Sequence, residues 1–315
     1  QERIANFHHA AMERLAPGEA DLVVDIWTEI SRNVNAELEA EGWPEISVEE
    51  FMRRREIWDY RVMERLRARC DIVKDPATAE ALKPYYRYLC KRPASNDDYY
   101  PAFNQDNVQL IDVAETQGLE ALTENGFIHQ GKEYACDCII LASGYEVTND
   151  LDRRWGISRI EGANGLSIYD YWREGYQTFQ GMTAHNFPNM FFTGFTQAAA
   201  NASNSKTFID QGFHIGYIAS EALKRGAVRV EPTAGAQDAY IAHLRSIAVD
   251  MSEYVNECTP SYFNNEGDTT KKRHIFGEPW GEGYYAFEAM LKAWRDDGGL
   301  KGLALEVEKQ PEPAE

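Results

Sequence analysis

The run Cys138-Ile-Ile-Leu141, passing at once into Ala142-Ser143-Gly144, constrains this chain more than any other stretch. Four apolar residues in succession lack the alternation of a half-solvated strand, and they predict a strand covered on both faces. Cys136 and Cys138 share one face of that strand if it is regular, and read as two small buried hydrophobes. A covered strand belongs in a layered α/β structure, with helices over the sheet. The small residues that follow predict a turn at which backbone or a ligand can approach closely.

The flanking sequence fills in the layers. Residues 1–89 read as helical. Ser47 and Glu50 form a capping box. Phe51, Trp58, Val62, Leu66 and Cys70 then keep to one helical face. Ile26 to Leu38 carries a second amphipathic pattern, and Pro76 suits the first turn of a further helix. Val108 to Val113 reads as a strand, and Asn125-Gly126 and Gln130-Gly131 as turns around Phe127-Ile-His129. Met190-Phe-Phe192 is expected as a short strand. A helix beginning at Asn204-Ser-Lys-Thr207 follows, with Thr207 and Asp210 as a cap pair. Its buried side is expected to hold Ile209, Phe213, Ile218 and Ala222, and it should stop at Gly226. Gly212 and Gly216 would allow close packing on one face. Further helices are expected from about Ala236 to Val255 and from Phe287 to Trp294, the last stopping at Gly298-Gly299. Residues 309–315 read as a disordered tail.

Composition excludes several classes. With 315 residues and 43% hydrophobic content the chain can bury the cores of about two domains. A net charge of -19 argues against nucleic acid and against an anionic membrane surface, because both need a basic stripe. No apolar run approaches the length of a bilayer span, and no signal peptide is evident. Five cysteines fit neither a disulfide framework nor a four-ligand zinc spacing, which leads to the expectation of a reducing, cytoplasmic setting. The seven histidines show no metal spacing, and His8-His9 is expected to be solvated. Neither a Gly-x-Ser-x-Gly elbow nor a Cys-x-x-Cys pair occurs, so hydrolase and disulfide-exchange chemistry lack their nucleophiles. No Gly-x-Gly-x-x-Gly occurs either, so a strand–turn–helix cradle for a pyrophosphate is missing.

Two places could carry chemistry. Lys91 and Arg92 precede Pro93, where the backbone is biased to an extended form, so the two cations diverge. An Arg fork suits an oxyanion and a Lys a phosphate. Asn204 and Ser205 begin a helix, whose dipole and free amides favour an electron-rich ligand edge. A solvated charge pair and an ordinary helix cap are the plain alternatives.

Six stretches, in this order and spacing, resemble the type I Baeyer–Villiger monooxygenases, flavoproteins that use FAD and NADPH. They are Lys83-Pro-Tyr-Tyr86; Cys90-Lys-Arg-Pro93; Asp98-Tyr-Tyr100 with Phe103-Asn104; Leu141-Ala-Ser-Gly-Tyr-Glu146; Gly181 with Phe187-Pro-Asn189 and Gly194; and Cys258-Thr-Pro-Ser-Tyr-Phe-Asn-Asn-Glu-Gly267. The resemblance runs from about Trp27 to Gly302. It implies that Lys91 contacts the 2′-phosphate of NADPH. It implies that Arg92 is the catalytic arginine, stabilising negative charge on the oxygen-loaded flavin and on the ketone adduct. Ala142, Ser143 and Gly144 match the turn that leads from the NADPH domain back to the FAD domain, with Ser143 in place of the usual Thr. Asn204 and Ser205 match the helix start against the flavin ring, and Tyr262 falls where many relatives place a Trp near NADP. The Cys258-Thr-Pro260 ending is similar to relatives that act on larger ring ketones.

The resemblance also implies an organisation. The fold class expected is α/β, the C-terminal portion of a flavoprotein with two dinucleotide-binding domains, incomplete Rossmann-like folds and a helical insertion. Residues 1–89 would be that insertion, 90–147 the end of the NADPH domain, 148–308 the end of the FAD domain and 309–315 the tail. The family's Gly-rich motifs and its Phe-x-Gly-x-x-x-His-x-x-x-Trp fingerprint do not occur, so the chain is expected to be a fragment that alone neither binds FAD tightly nor turns over. The implied partners are a small ketone and O2, with no nucleic acid and no membrane. An N- or S-oxidising flavin monooxygenase and a non-catalytic binding module stay open as alternatives.

Overall fold

The computed structural model describes residues 2–13, 15–144, 151–268 and 278–308. The tail expected at 309–315, and Tyr145 and Glu146 of the fourth motif, lie outside them. In chain order the elements are helices α1 (Glu2–Met12), α2 (Glu29–Ala40), α3 (Val48–Ala68), α4 (Pro76–Ala81) and α5 (Tyr99–Ala102), then strands β1 (Ala121–Thr123), β2 (Gly126–His129) and β3 (Lys132–Ala135). Helices α6 (Leu151–Trp155), α7 (Ile168–Tyr171) and α8 (Asn204–Lys224) follow, then β4 (Ala227–Pro232), α9 (Ala234–Ser246), α10 (Ser252–Glu257), α11 (Tyr284–Asp297) and β5 (Leu303–Val307). Two units result, residues 52–146 and residues 1–51 together with 147–315. This partition by packing cuts through the helical stretch read as one piece from the sequence.

In the unit 52–146, α3 carries Val62 and Met63 into the core, and Cys70 is fully buried just beyond it. The Ser47 hydroxyl accepts the Glu50 amide at 3.1 Å, as its place before the helix predicts. Asp75 caps α4 by accepting the Thr78 amide at 2.8 Å, with Pro76 at the first helical position. β1, β2 and β3 form an antiparallel meander, with Thr123 opposite Gly126 and His129 opposite Lys132, so the second predicted turn is present at Gln130-Gly131 and the first lies one residue earlier than predicted, at Glu124-Asn125. A side chain at Gly126 would meet the Tyr134 carbonyl oxygen at 1.9 Å.

Two predicted strands of this unit are not present. Residues 108–113 join no ladder, and neither do 138–141. The latter run is also exposed: Ile140 retains 85% and Leu141 82% of its accessible surface. Cys138 is exposed and Cys136 only half-buried, which corrects their reading as buried hydrophobes. The physical reason is that a ladder needs neighbouring strands, and the described residues supply none at these positions.

In the larger unit, α1 packs on α2, where the Ser31 hydroxyl donates to the Ala11 carbonyl at 2.9 Å. One cluster joins Phe179, Met182, Tyr240, Leu244, Phe287 and Leu291; a second joins Leu151, Ile168, Trp172 and Phe187; a third holds Ile218 of α8 against Val230 and Leu300. Each such side chain is worth about 1.5–3 kcal/mol in transfer from water. β4 and β5 pair antiparallel, from Ala227 opposite Val307 to Pro232 opposite Leu303. The sequence reading did not include this pair. α11 ends at Gly298 with φ 69°, the left-handed cap expected there.

Several expectations for this unit are corrected. Met190-Phe-Phe192 forms no strand, although the Phe192 amide reaches the Met182 carbonyl at 3.0 Å. The predicted helix 236–255 is two helices, because the backbone leaves helical geometry between Ser246 and Ser252. α8 buries Thr207, Gln211, His214, Ile218 and Ala222, while Ile209 and Phe213 keep 67% and 66% of their surface. The helix is apolar on more than one side, so its pattern did not select the buried face. Thr207 and Asp210 do not cap it; the first turn starts after Ser203. His8 is buried, not solvated.

The exposed run 138–141 gives a direct test. Ile140→Lys with Leu141→Lys is expected to reduce self-association and dye binding by exposed apolar surface, and to leave the thermal midpoint within about 2 °C. A large fall in that midpoint would show the run to be buried in solution.

Candidate functional site

The start of α8 is built from its own loop. Asn201, Ala202 and Ser203 have their amides met by Thr207 Oγ1 at 2.8 Å, His8 Nδ1 at 3.0 Å and Asn201 Oδ1 at 2.9 Å. The Ser203 carbonyl accepts from Lys206 at 3.0 Å and Thr207 at 3.4 Å. That leaves the amides of Asn204 and Ser205 without a partner among the described residues, at the positive end of a helix of 21 residues. Ser205 is exposed and Asn204 half-buried. This arrangement can meet the electron-rich edge of a ligand.

The helix behind that turn is held firmly. Gln211 accepts the Gly194 amide at 2.9 Å and donates to the Gly194 carbonyl at 2.6 Å. Lys206 pairs with Asp210 and, at 3.1 Å, with Glu288 of α11; Tyr284 also donates to Asp210. Burial pulls the Lys206 ammonium down, but the two carboxylates outweigh it and hold its pKa above the ordinary value. Burial and the bond to Asp210 push the Tyr284 phenol up. A cleft of about 190 Å³ lies between α8 and α11, lined by Asp210, Phe213, Tyr284, Glu288 and Arg295 among others. It is too small for a dinucleotide.

At the centre of this packing is His214, fully buried. Its Nδ1 accepts from Arg295 at 3.0 Å, so the ring proton sits on Nε2, which faces Gln180 Oε1 at 2.9 Å. Burial, with the Arg295 charge alongside, pushes its pKa down to about 3.

In the other unit, Arg87 Nε reaches Asp59 Oδ2 at 3.0 Å and Nη1 reaches Glu56 at 3.1 Å, while Asp59 Oδ1 accepts the Tyr88 amide at 2.8 Å. Burial raises the Asp59 carboxyl above the usual range despite the Tyr88 amide and Arg87. This clasp fixes the backbone that leads to Lys91 and Arg92, both exposed. Cys90, directly before the two cations, is buried and disulfide-bonded, although the five cysteines fit no disulfide framework in the sequence. Lys91 Nζ stands 6.0 Å from the Tyr86 ring centroid. Ala142, Ser143 and Gly144 are exposed, with Gly144 at φ 88°. Tyr262, half-buried, opens a 3-10 turn (Tyr262–Gly267), its ring 4.3 Å from that of Phe263. Lys91, Arg92 and residues 142–144 thus belong to one unit, and Asn204, Ser205 and Tyr262 to the other.

The sequence reading missed His8, Asp59 and Arg87. Asp59 had a signal, a carboxylate in phase with the apolar face of α3. His8 had none, because its partners lie far along the chain.

The geometry also shows what other motif residues do. Asn104 donates to the Ile72 carbonyl at 2.9 Å and accepts the Lys74 amide at 2.7 Å. Asn189 does the same with Val228 and Val230, both at 2.9 Å. Asn264 accepts the Ser261 amide and donates to the Cys258 carbonyl, each at 2.9 Å. These three clasp backbone.

No protein-family model matches the chain. It is 38% identical over 312 residues to the Baeyer–Villiger monooxygenase ATR8 of Stachybotrys chlorohalonatus, spanning 97% of this chain and 48% of that protein. It is 35% identical over 308 residues to pentalenolactone D synthase of Streptomyces exfoliatus, spanning 97% and 52%. Among solved structures, the polycyclic ketone monooxygenase of Thermothelomyces thermophila matches with a TM-score of 0.80 and 30% identity, over 97% of this chain and 50% of that one. The chain spans about half the length of the curated relatives it matches.

His214 predicts a pH dependence. It is neutral in the fold and protonated in the unfolded chain below pH 6.5, so its contribution is complete above about pH 6.5 and is lost as pH falls toward about 3. The loss should be on the order of 4 kcal/mol. Denaturant melts of wild type and His214→Gln between pH 7 and 4 measure it; equal slopes would remove the assignment.

Proposed function

We propose a function from one premise: over the half of those proteins that it spans, this chain belongs to the Baeyer–Villiger monooxygenase family. The residues serve an enzyme that uses FAD, NADPH and O2 to insert one oxygen atom into a ketone, giving an ester or lactone. The observation that carries the reading is Arg92. In a chain of net charge -19, this exposed guanidinium has no carboxylate partner among the described residues, whereas Arg87 nearby is engaged by two. An unpaired Arg is a fork held for an anion that comes and goes.

The residues fit the cofactors in part. The open amides of Asn204 and Ser205 suit the flavin ring edge, Lys91 suits the 2′-phosphate of NADPH, and the exposed Ala142-Ser143-Gly144 turn and Tyr262 suit the rest of the nicotinamide nucleotide. The sequence lacks the Gly-x-Gly-x-x-Gly that cradles a pyrophosphate. Bound FAD supplies the electron transfer and the activation of oxygen. Arg92 supplies a fixed positive charge where negative charge develops on oxygen, which needs no reorganisation at the moment of reaction. Lys91 selects the phosphorylated nucleotide.

In the protein expressed from the whole reading frame containing these residues, Arg92→Ala is expected to lower ketone oxygenation about 10²–10³-fold, with flavin reduction by NADPH largely intact. Loss of reduction alone would contradict the role. Lys91→Ala should raise KM for NADPH about 10- to 100-fold with little change for NADH. Equal effects on both nucleotides would place Lys91 away from the 2′-phosphate.

A further inference from the structure

The loop entering α8 has three successive amides met by side chains. Two of those contacts are local: Thr207 and Asn201 are within six residues of the amides they accept from. The third crosses 194 residues, from the Ala202 amide to Nδ1 of His8 on α1 at 3.0 Å. His8 is 3% exposed, with its ring against Tyr284 and Tyr285 at centroid distances of 5.4 and 5.7 Å.

Because Nδ1 accepts, the neutral ring carries its proton on Nε2. That atom stands 2.9 Å from Oε1 of Glu13 and donates to it. The same oxygen accepts the Tyr284 amide, at the first residue of α11, at 2.9 Å. Burial raises the Glu13 carboxyl, but the hydrogen bonds from His8 and the Tyr284 amide oppose it, and the carboxyl lies below its ordinary range. Gly283 leaves room for this contact; a Cβ there would stand 2.7 Å from Glu13 Oε1.

One imidazole in one tautomer therefore joins α1, the start of α8 and the start of α11. A leucine could fill the volume, but it would leave the Ala202 amide and the Glu13 carboxylate short of a partner. We propose that His8 is a positioning residue for the start of α8. It pins the peptide two residues before Asn204, and with it the aim of the open amides of Asn204 and Ser205. The ligand at that turn rests on the flavin reading given above; the pinning is a property of these residues alone.

Two substitutions separate the two ring nitrogens. His8→Asn keeps an acceptor near the position of Nδ1. His8→Gln keeps a polar group near Nε2 and leaves Ala202 unmet. In the 315-residue chain, His8→Gln should speed amide hydrogen exchange at Ala202 and Ser203 about tenfold or more. His8→Asn should stay within about threefold of wild type, and the two variants should share a thermal midpoint. Unchanged exchange in His8→Gln, or equal acceleration in both variants, overturns the proposal. Wild-type nitrogen NMR decides the matter if the variants do not fold: the Nε2–H tautomer is expected at neutral pH, and an Nδ1–H ring or an imidazolium overturns it. None of these readouts involves flavin, so failure of the cofactor reading shows separately, in the Arg92 and Lys91 experiments.

Discussion

Gln197 accepts from the amide of Thr178 at 2.9 Å and its hydroxyl at 2.7 Å, and donates to the Tyr176 carbonyl and to Glu278. Most of the segment 172–203 depends on contacts of this kind. The segment is mostly buried or half-buried yet forms no regular ladder, and a backbone group removed from water needs a partner. Gln211 serves Gly194, Asn189 serves β4, and Gln237 donates to Tyr171 and accepts the His185 amide. Where such a side chain is cut back, the groups it met are left bare at a cost of about 1–3 kcal/mol each. The start of α8 inherits its geometry from this lattice of amides.

Much of the helical structure was legible because helix signals are local. Asp75 and Pro76 announce α4, Gly298 ends α11, and Asn125-Gly126 with Gln130-Gly131 mark the turns of the meander, the first to within one residue. The misreadings share one cause, that the deciding partner is distant. Ile139 to Leu141 are apolar enough for a covered strand, but strand formation depends on neighbours the described residues do not provide. The choice between Ile209 and Gln211 as the buried face of α8 depends on what packs there, and Gln211 wins through its two bonds to Gly194. β4 and β5 are short alternating runs whose pairing joins distant parts of the chain.

The site residues divide in the same way. Lys91 and Arg92 were visible as a pair of cations before a proline, and Asn204 and Ser205 as a helix start. What supports them was not visible. The Arg87–Asp59 clasp sits directly before the cations, and the His8 contact directly before the helix. The family motifs mix the two kinds of residue: Asn104, Asn189 and Asn264 are clasps, so a motif match reports folding as well as chemistry.

The pairing of β4 with β5 has a kinetic side. It ties Pro232 to Leu303 and so closes about 70 residues, including α9 and α11, into one loop. Closing a loop of that length is entropically unfavourable before the packing inside it is formed, so this pairing belongs to the late, non-local steps of folding. A protease that nicks the chain within this loop therefore need not release the fragments: five residue pairs and the core around Val230 and Leu300 hold the two ends together. After such a nick the unit would keep its shape.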